Sequence, residues 1–455
     1  MSFVGKIKNF FYGSNIDSLV LAGGFSFGTG DRQKYVQQGY LMNPYVYSAV
    51  NIITNAAKQV PFNVYRVTDQ KAFSKYKSLP AYSNSGLSAK QAVLKERSME
   101  EVEGTGINEV MKYPNPNQGW GEWFEAAIGY KLITGESFIH GIKTDSGNNA
   151  GAIREMWVLP SQFVEISATN VIEPVITGYE LKIFEGLKLE PDEVMHWKYF
   201  NPSYDGTKEE TLHGLSPLTA AFREALISNG TGDSIGSIMD NAGASGVLSL
   251  QDAGAMNEEQ AKKLRDTYYK NYTGKNRGKI IITAANLKWQ EIGMSPKDMQ
   301  VVDIRKMSMR DIYAVYGLKS ELGNDSENST YNNVSEANRS LYLNRVLPEL
   351  DTIRDELNRW LADSWNQARG TNYYIDYDIS GIPALQDDMK LLVESIQKAW
   401  WTTGNEKRMF TGFGKRDDMD KIFLPTNIVP YEDDMLDEDA AKQILANYAE
   451  STNGN

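Results

Sequence analysis

No cysteine occurs in the 455 residues. Disulfide stapling and thiolate chemistry are therefore excluded, a composition that suits a reducing compartment. Histidine is nearly absent too: His140, His196 and His213 are the three. None stands at metal-ligand spacing, and without Cys a zinc site is disfavoured. Each is read as a structural residue, and no metal is expected. No apolar run approaches the ~18–20 residues that a transmembrane helix needs, so no membrane is expected. Residues 3–12 are weakly amphipathic but lack the apolar run and cleavage site of a signal peptide, and read as a docking arm or a frayed terminus rather than a membrane anchor. No nucleotide site is recognisable either. Gly230-Thr-Gly-Asp-Ser-Ile-Gly236 lies inside a helical pattern rather than after a strand. Gly274-Lys-Asn-Arg-Gly278-Lys279 is too short for a P-loop and has Ile280 where Ser or Thr is needed, and Gly412-Phe-Gly-Lys415 fails similarly. No cofactor is expected.

What is present is an ordinary globular composition, 41% hydrophobic and 23% charged, long enough for roughly two to four domains. The formal charge is −12, which argues against a protein that coats nucleic acid but not against one that lets it slide past. One stretch runs against that balance. Lys262, Lys263, Arg265, Lys270, Lys275, Arg277 and Lys279 face a single acid, Asp266, within residues 262–279. Such a cluster points to a polyanion or an acidic partner, the plainer alternative being a solvated helix face. It is bracketed by two helices that open on Ser216-Pro217 and Ser295-Pro296, Ser to accept an orphan N–H and Pro for the first helical position.

Periodicity organises the rest. Residues 13–43, rich in Gly and Ser, read as an extended arm. A helix over 44–58 carries Val46, Val50, Ile53 and Ala57 on one stripe, and a strand follows over 62–65. Residues 68–104 read as a polar surface excursion. A helix over 120–133 turns in Trp123, Ala127 or Phe124, and Tyr130. Strands follow at 137–142, 155–159, 163–166, 178–183 and 194–198, so helix followed by short strands gives an α+β body. In the first Ser-Pro helix, Leu218, Ala221, Phe222, Ala225, Gly232, Ile235 and Met239 form a stripe. Gly230, Gly232 and Gly236 each weaken it by roughly 1 kcal/mol, which implies close packing on a neighbour or a kink. Strands are expected at 246–250, 279–283 and 288–292, with a helix opening on the Asn257/Gln260 capping box and burying Ala261, Leu264, Tyr268 and Tyr272. The second Ser-Pro helix, 296–317, is expected to bury Val301, Ile304, Ile312 and Val315. Residues 319–334 form a polar loop. A long helix over 335–365 carries Leu343, Leu347, Leu350, Ile353, Leu357 and Leu361, and Pro348 inside it predicts a kink. A strand alternates over 372–379, a helix spans 386–401, and residues 431–441 hold six acids and no base.

Nine Trp, 25 Tyr and many carboxylates leave one enzymatic alternative, a carbohydrate-active hydrolase with Asp192 and Glu193 as its acid pair. Neighbouring strand residues point to opposite faces, which counts against that pair, and aromatics more commonly fill cores and subunit contacts.

The order of segments is more specific than any one of them. Asn43-Pro-Tyr-Val-Tyr-Ser-Ala-Val50 leads to Val60-Pro-Phe-Asn-Val-Tyr-Arg66, then Tyr113-Pro-Asn-Pro-Asn117 and Thr134-Gly-Glu-Ser-Phe-Ile139. Pro191-Asp-Glu-Val-Met-His-Trp197, His213-Gly-Leu-Ser-Pro-Leu218, Asp298-Met-Gln300, Val346-Leu-Pro348 and Trp401-Thr-Thr-Gly-Asn-Glu-Lys-Arg408 follow. In that order the chain, over about 43–430, resembles the portal proteins of tailed double-stranded-DNA phages. It departs from their pattern at Glu136, where Asn is usual, and at Gly317-Leu-Lys-Ser-Glu-Leu-Gly323, where prolines are common.

The resemblance implies a portal fold: an N-terminal arm (1–43), an α+β wing (44–215), a two-helix stem (216–241 and 296–318) and a small α/β clip (242–295). A tunnel loop (319–334), a long kinked helix with a wing strand (335–385), and a helical crown with an acidic tail (386–455) complete it. It implies a ring, typically of twelve subunits, with no catalysis. The ring would sit at a capsid vertex of a virion assembled in the host cytoplasm. DNA would be packaged through it by the terminase and later ejected. The terminase large subunit, a head–tail adaptor and the major capsid or scaffolding protein would be partners, and double-stranded DNA would pass non-specifically. Lys319, Glu321, Asn324, Asp325, Ser326, Glu327, Asn328 and Asn332 would line the tunnel loop, with Asp325 and Glu327 repelling phosphate. The seven basic clip residues would meet the motor, the adaptor or entering DNA, and Gly230, Gly232 and Gly236 would let stem helices pack. Another oligomeric particle component, a capsid or baseplate subunit, is the remaining alternative.

Overall fold

A computed structural model describes residues 32–79, 85–169, 175–183, 187–203, 212–240, 246–250, 258–259, 262–263, 265–266, 287–291, 300–325, 327, 331–379, 381–385, 393–394, 396–399, 401–410 and 416–422. In chain order the strands are β1 Phe62–Val67, β2 Met99–Glu101, β3 Glu136–Lys143, β4 Ile153–Leu159, β5 Val164–Ala168, β6 Ile176–Leu181, β7 Leu187–Leu189, β8 Val194–Lys198, β9 Gly246–Leu250, β10 Leu287–Glu291 and β11 Tyr373–Tyr377. The helices are α1 Pro44–Ala57, α2 Gln70–Lys77, α3 Ser85–Ser98, α4 Gly106–Lys112, α5 Trp120–Thr134, α6 Pro217–Asp240, α7 Val301–Val315, α8 Tyr331–Leu341, α9 Leu347–Leu357, α10 Asp363–Arg369 and α11 Gly404–Phe410. The chain divides into two compact units, one of residues 1–52, 126–140 and 158–323, the other of 53–125, 141–157 and 324–455.

In the first unit Asn43 caps α1, its Oδ1 accepting from the N–H groups of Tyr45 (3.0 Å) and Val46 (3.1 Å), with Pro44 at the first helical position. The start of β3 pairs antiparallel with β8, Glu136 opposite Lys198 and His140 opposite Val194. β5, β6 and β7 form a second antiparallel sheet, and Phe138, Val164, Ile166, Tyr179, Leu181 and Val194 share one core. α6 and α7 pack along each other. The proximal part of the expected α6 stripe is buried: Leu218, Ala221, Phe222 and Ala225.

Three readings change in this unit. The segment expected to be an extended arm is helical where it is described. A turn at Arg32–Lys34 runs into a π-helical stretch, Tyr35–Leu41, with Tyr35 and Gly39 buried. The second Ser-Pro helix does not run unbroken from Pro296: Gln300 is left-handed (φ 48°, ψ 40°) and α7 begins at Val301, while 292–299 lie outside the described residues. Its buried stripe is Val301, Ser308, Met309, Ile312 and Tyr313, whereas Ile304 and Val315 are exposed. A Ser and a Tyr on the inner face hid the true phase, because neither scores as apolar. The strands expected at 246–250 and 288–292 are present as β9 and β10, and they pair antiparallel with Leu287 opposite Leu250. The strand at 279–283 and most of the helix expected after Asn257 lie outside the described residues.

In the second unit β11, β1 and β2 form an antiparallel sheet in that order, Phe62 opposite Tyr377 and Val67 opposite Met99. β11 does not alternate: all five residues are buried. The surface excursion expected over 68–104 instead supplies α2, α3 and β2. Asp69 caps α2, accepting from Lys71 N and Ala72 N, and Tyr76 and Met99 are buried beside Tyr65 and Tyr374. Its few apolar residues are spaced to close the sheet, which composition could not show. Asp376, 2% exposed, accepts from Tyr76 Oη at 2.6 Å and pairs with Lys95 Nζ at 2.7 Å.

The long helix starts earlier than expected, at Tyr331. α8, a π-turn at Tyr342–Val346, α9, a second π-turn at Asn358–Ala362 and α10 run on without a break. Leu347, Leu350, Ile353, Leu357 and Leu361 are fully buried, and Leu343 is half-buried. A π-turn, Tyr342–Val346, lies just before Pro348, where a kink is expected, and its wider turn eases the ring's clash with the carbonyl one turn back. Left-handed Gly370 (φ 65°) ends the run. The helix expected over 386–401 is seen at 393–394 and 396–398 and has ended by 399, the rest lying outside the described residues.

Candidate functional site at the root of the helical hairpin

α6 departs from the first unit at a tightly built point. Gly135 (φ +91°) closes α5, its N–H donating to Lys131 O at 2.9 Å. A Cβ there would lie 2.5 Å from the backbone of Leu215 and Ser216, so only glycine admits this approach. Ser216 caps α6 as expected, accepting from Leu218 N (3.0 Å) and donating to Ile133 O (2.6 Å).

The next residue, Glu136, is fully buried at the first position of β3. Its Oε1 accepts from Arg32 Nη1 (2.7 Å) and from His213 Nδ1 (2.8 Å). Its Oε2 accepts from His196 Nε2 (2.8 Å) and from Gly214 N (3.0 Å). Four donors saturate one carboxylate, the condition under which a buried charge is tolerated. Burial alone would raise its pKa. The bonds from His196 and His213 outweigh that and hold the carboxyl well below the usual carboxylate range. Burial pushes His196 below the ordinary imidazole value despite the opposing pull of Glu136, so the ring is held neutral. Phe138 stacks on it with centroids 4.3 Å apart.

This cluster escaped the sequence reading, in which Glu136 figured only as a departure from a family pattern. The available signal was an acid at a strand start in a chain with only three His, two of them in the quoted motifs.

The expected site residues are placed unevenly. Among the described residues, Cβ atoms added at Gly230, Gly232 and Gly236 would meet nothing within 4 Å, so none of them shows the close approach expected there. Lys262, Lys263 and Arg265 are exposed on a helical stretch with Asp266, while Lys270, Lys275, Arg277 and Lys279 lie outside the described residues. The polar loop is shorter than expected. Ser320–Gly323 is a 3-10 turn after exposed Lys319, Glu321 is half-buried, and Asn324 is left-handed (φ 61°) and exposed. Asp325 is buried (4% exposed), whereas Glu327 is exposed. Asn332 sits in the first turn of α8 rather than in a loop, and Ser326 and Asn328 are outside the described residues.

The alternative acid pair fares poorly. Asp192 is exposed, and Glu193 is spent on the backbone N–H of Glu190 at 3.1 Å in the turn Pro191–Glu193. Among the described residues no group of three or more His, Asp or Glu is arranged to hold a metal ion, and no helix is long and apolar enough to cross a membrane.

Comparison with known proteins gives this geometry a context. The chain is 27% identical over 427 residues to an uncharacterized protein of Rickettsia bellii (strain RML369-C), covering 90% of this chain and 98% of that one. It is 21% identical over 237 residues to the portal protein of Enterobacteria phage HK97, covering 52% of this chain and 53% of that one. In fold it is similar to the neck of a native gene transfer agent particle of C12 symmetry, with TM-score 0.58 and 24% identity over 91% of this chain and 100% of that chain. A family model described as phage portal protein matches residues 44–412, most of the chain, and the chain therefore belongs to the phage portal protein family.

Proposed function

We propose that this portal protein closes into a ring, of twelve copies by analogy with the C12 neck, and conducts double-stranded DNA through its centre without catalysis. The observation that carries the reading is the family match over 44–412. The hairpin supports it physically. Ile227, Val302, Met307 and Val315 are exposed on α6 and α7 at 40%, 68%, 62% and 38%, and the three glycines of α6 face open space. Apolar side chains left uncovered in one chain are what a heterologous ring contact would bury.

The remaining assignments follow the same analogy. The hairpin is the stem, residues 242–295 the clip, 319–334 the tunnel loop and 386–455 the crown. Exposed Lys262, Lys263 and Arg265 suit an acidic face of the terminase large subunit or the phosphates of entering DNA. The head–tail adaptor and the capsid or scaffolding protein complete the partners of a ring assembled in the host cytoplasm at a head vertex.

Negative-stain microscopy of the purified chain tests the reading. Rings with a central hole are expected. A monomer or dimer without a hole, under every condition tried, overturns it.

A further inference from the structure

Residues 32–43 run along α6. Arg32 ties their beginning to Glu136 and lies 3.5 Å from Val164 O. Tyr35 Oη and Thr219 Oγ1 share a hydrogen bond at 3.0 Å, and the Tyr35 ring meets Phe222 edge-on at 5.5 Å. Gly39 lies so close to Leu218 that a Cβ would come within 2.9 Å of its Cδ1. Asn229 Nδ2 donates to Gln38 O at 3.0 Å. Asn43 Nδ2 donates to Ala225 O (3.1 Å) and to Asn229 Oδ1 (2.9 Å). Among the described residues these contacts reach α6 from Leu218 to Asn229. Immediately beyond stand Gly230, Gly232 and Gly236, each with open space where a side chain would be. α6 therefore has a held half and a glycine-rich half, and the boundary is the last residue the segment grips. The wide π-helical turns of Tyr35–Leu41 form where the segment presses against this helix.

We propose that residues 32–43 are a strap that clamps the root half of α6, with the Arg32–Glu136 pair as its buckle, so that engagement of the strap sets how readily residues 217–229 open. A consequence for DNA passage rests on the ring reading, but the clamp itself does not.

Hydrogen exchange on the full chain tests it, comparing wild type with Arg32→Ala and with Asn229→Ala. Asn229→Ala cuts the grip at its far end without touching the buried carboxylate, and so remains informative if the Arg32 variant folds poorly. Release is expected to speed exchange about tenfold in residues 217–229, with β5–β7 and α9 unchanged. Unaltered protection over 217–229 in a folded variant overturns the proposal. So does a rise of equal size throughout the unit, since that is general destabilisation. Microscopy of wild type separates the two claims: local release without rings would remove the conduit and leave the strap.

Discussion

Glu136 concentrates the electrostatics of the first unit in one carboxylate. Replacing it by Ala takes away the common acceptor of the part-buried Arg32 guanidinium and of the His196 and His213 rings. Breaking a buried pair in this way costs about 3–5 kcal/mol. Chemical denaturation of Glu136→Ala should show a loss of that order, while exposed Glu327→Ala stays within about 0.5 kcal/mol. The same cluster predicts acid sensitivity. His196 and His140 both have folded pKa values pushed below 6.5, chiefly by burial, opposed by Glu136 and Glu193 respectively. The unfolded chain therefore takes up protons that the folded one refuses. Stability is lost as pH falls below 6.5, at no more than ~1.4 kcal/mol per pH unit for each histidine. Glu136, with its depressed pKa, adds a second loss, beginning only as pH falls through 4.5. Arg32, His213 and Lys198 surround the pair. Thermal melts between pH 7.5 and 5 should show the decline, with a shallower slope in His196→Gln.

At the level of elements, α6 shows how a helix is aimed as well as formed. Its start is legible in Ser216-Pro217, because capping chemistry is local. Its direction is set by Ser216 Oγ donating to Ile133 O and by the Gly135 backbone contact, neither of which any period encodes. Ser216→Ala should cost about 1–2 kcal/mol through lost capping and a lost buried bond, read as a lowered denaturation midpoint. The α1 stripe of Val46, Val50, Ile53 and Ala57 is buried as its spacing predicts. α7 was mis-phased because Ser308 and Tyr313 face inward. α2, α3 and β2 were missed because a polar stretch can still hold a few well-placed apolar residues.

At the scale of the whole molecule, the α6 glycines distinguish a single chain from an assembly. Space around Gly232 admits a larger side chain within one protomer, and replacing Gly inside a helix is favourable by roughly 0.5–1 kcal/mol. Gly232→Leu should therefore leave the protomer's melting temperature unchanged or raised. If neighbouring stems pack on that surface, the variant should form few rings by microscopy or sedimentation. Intact rings would show that the glycines serve the helix itself.

The sequence by itself determined the family and most of the regular elements, because ordered motifs, caps and helical or strand spacing are local in the chain. It placed α5, the short strands that follow it except β7, and the strands β9 and β10, with ends adjusted by a few residues. Only the tertiary structure decided which charges meet. Arg32, Glu136, His196 and His213 are separated by as many as 181 positions, and nothing in their own segments pairs one with another. Their meeting depends on the pairing of β3 with β8, on the backbone contact at Gly135 and on the run of residues 32–43 along α6. Buried electrostatics are pairwise and non-local, so no reading of neighbours along the chain could have assembled that site.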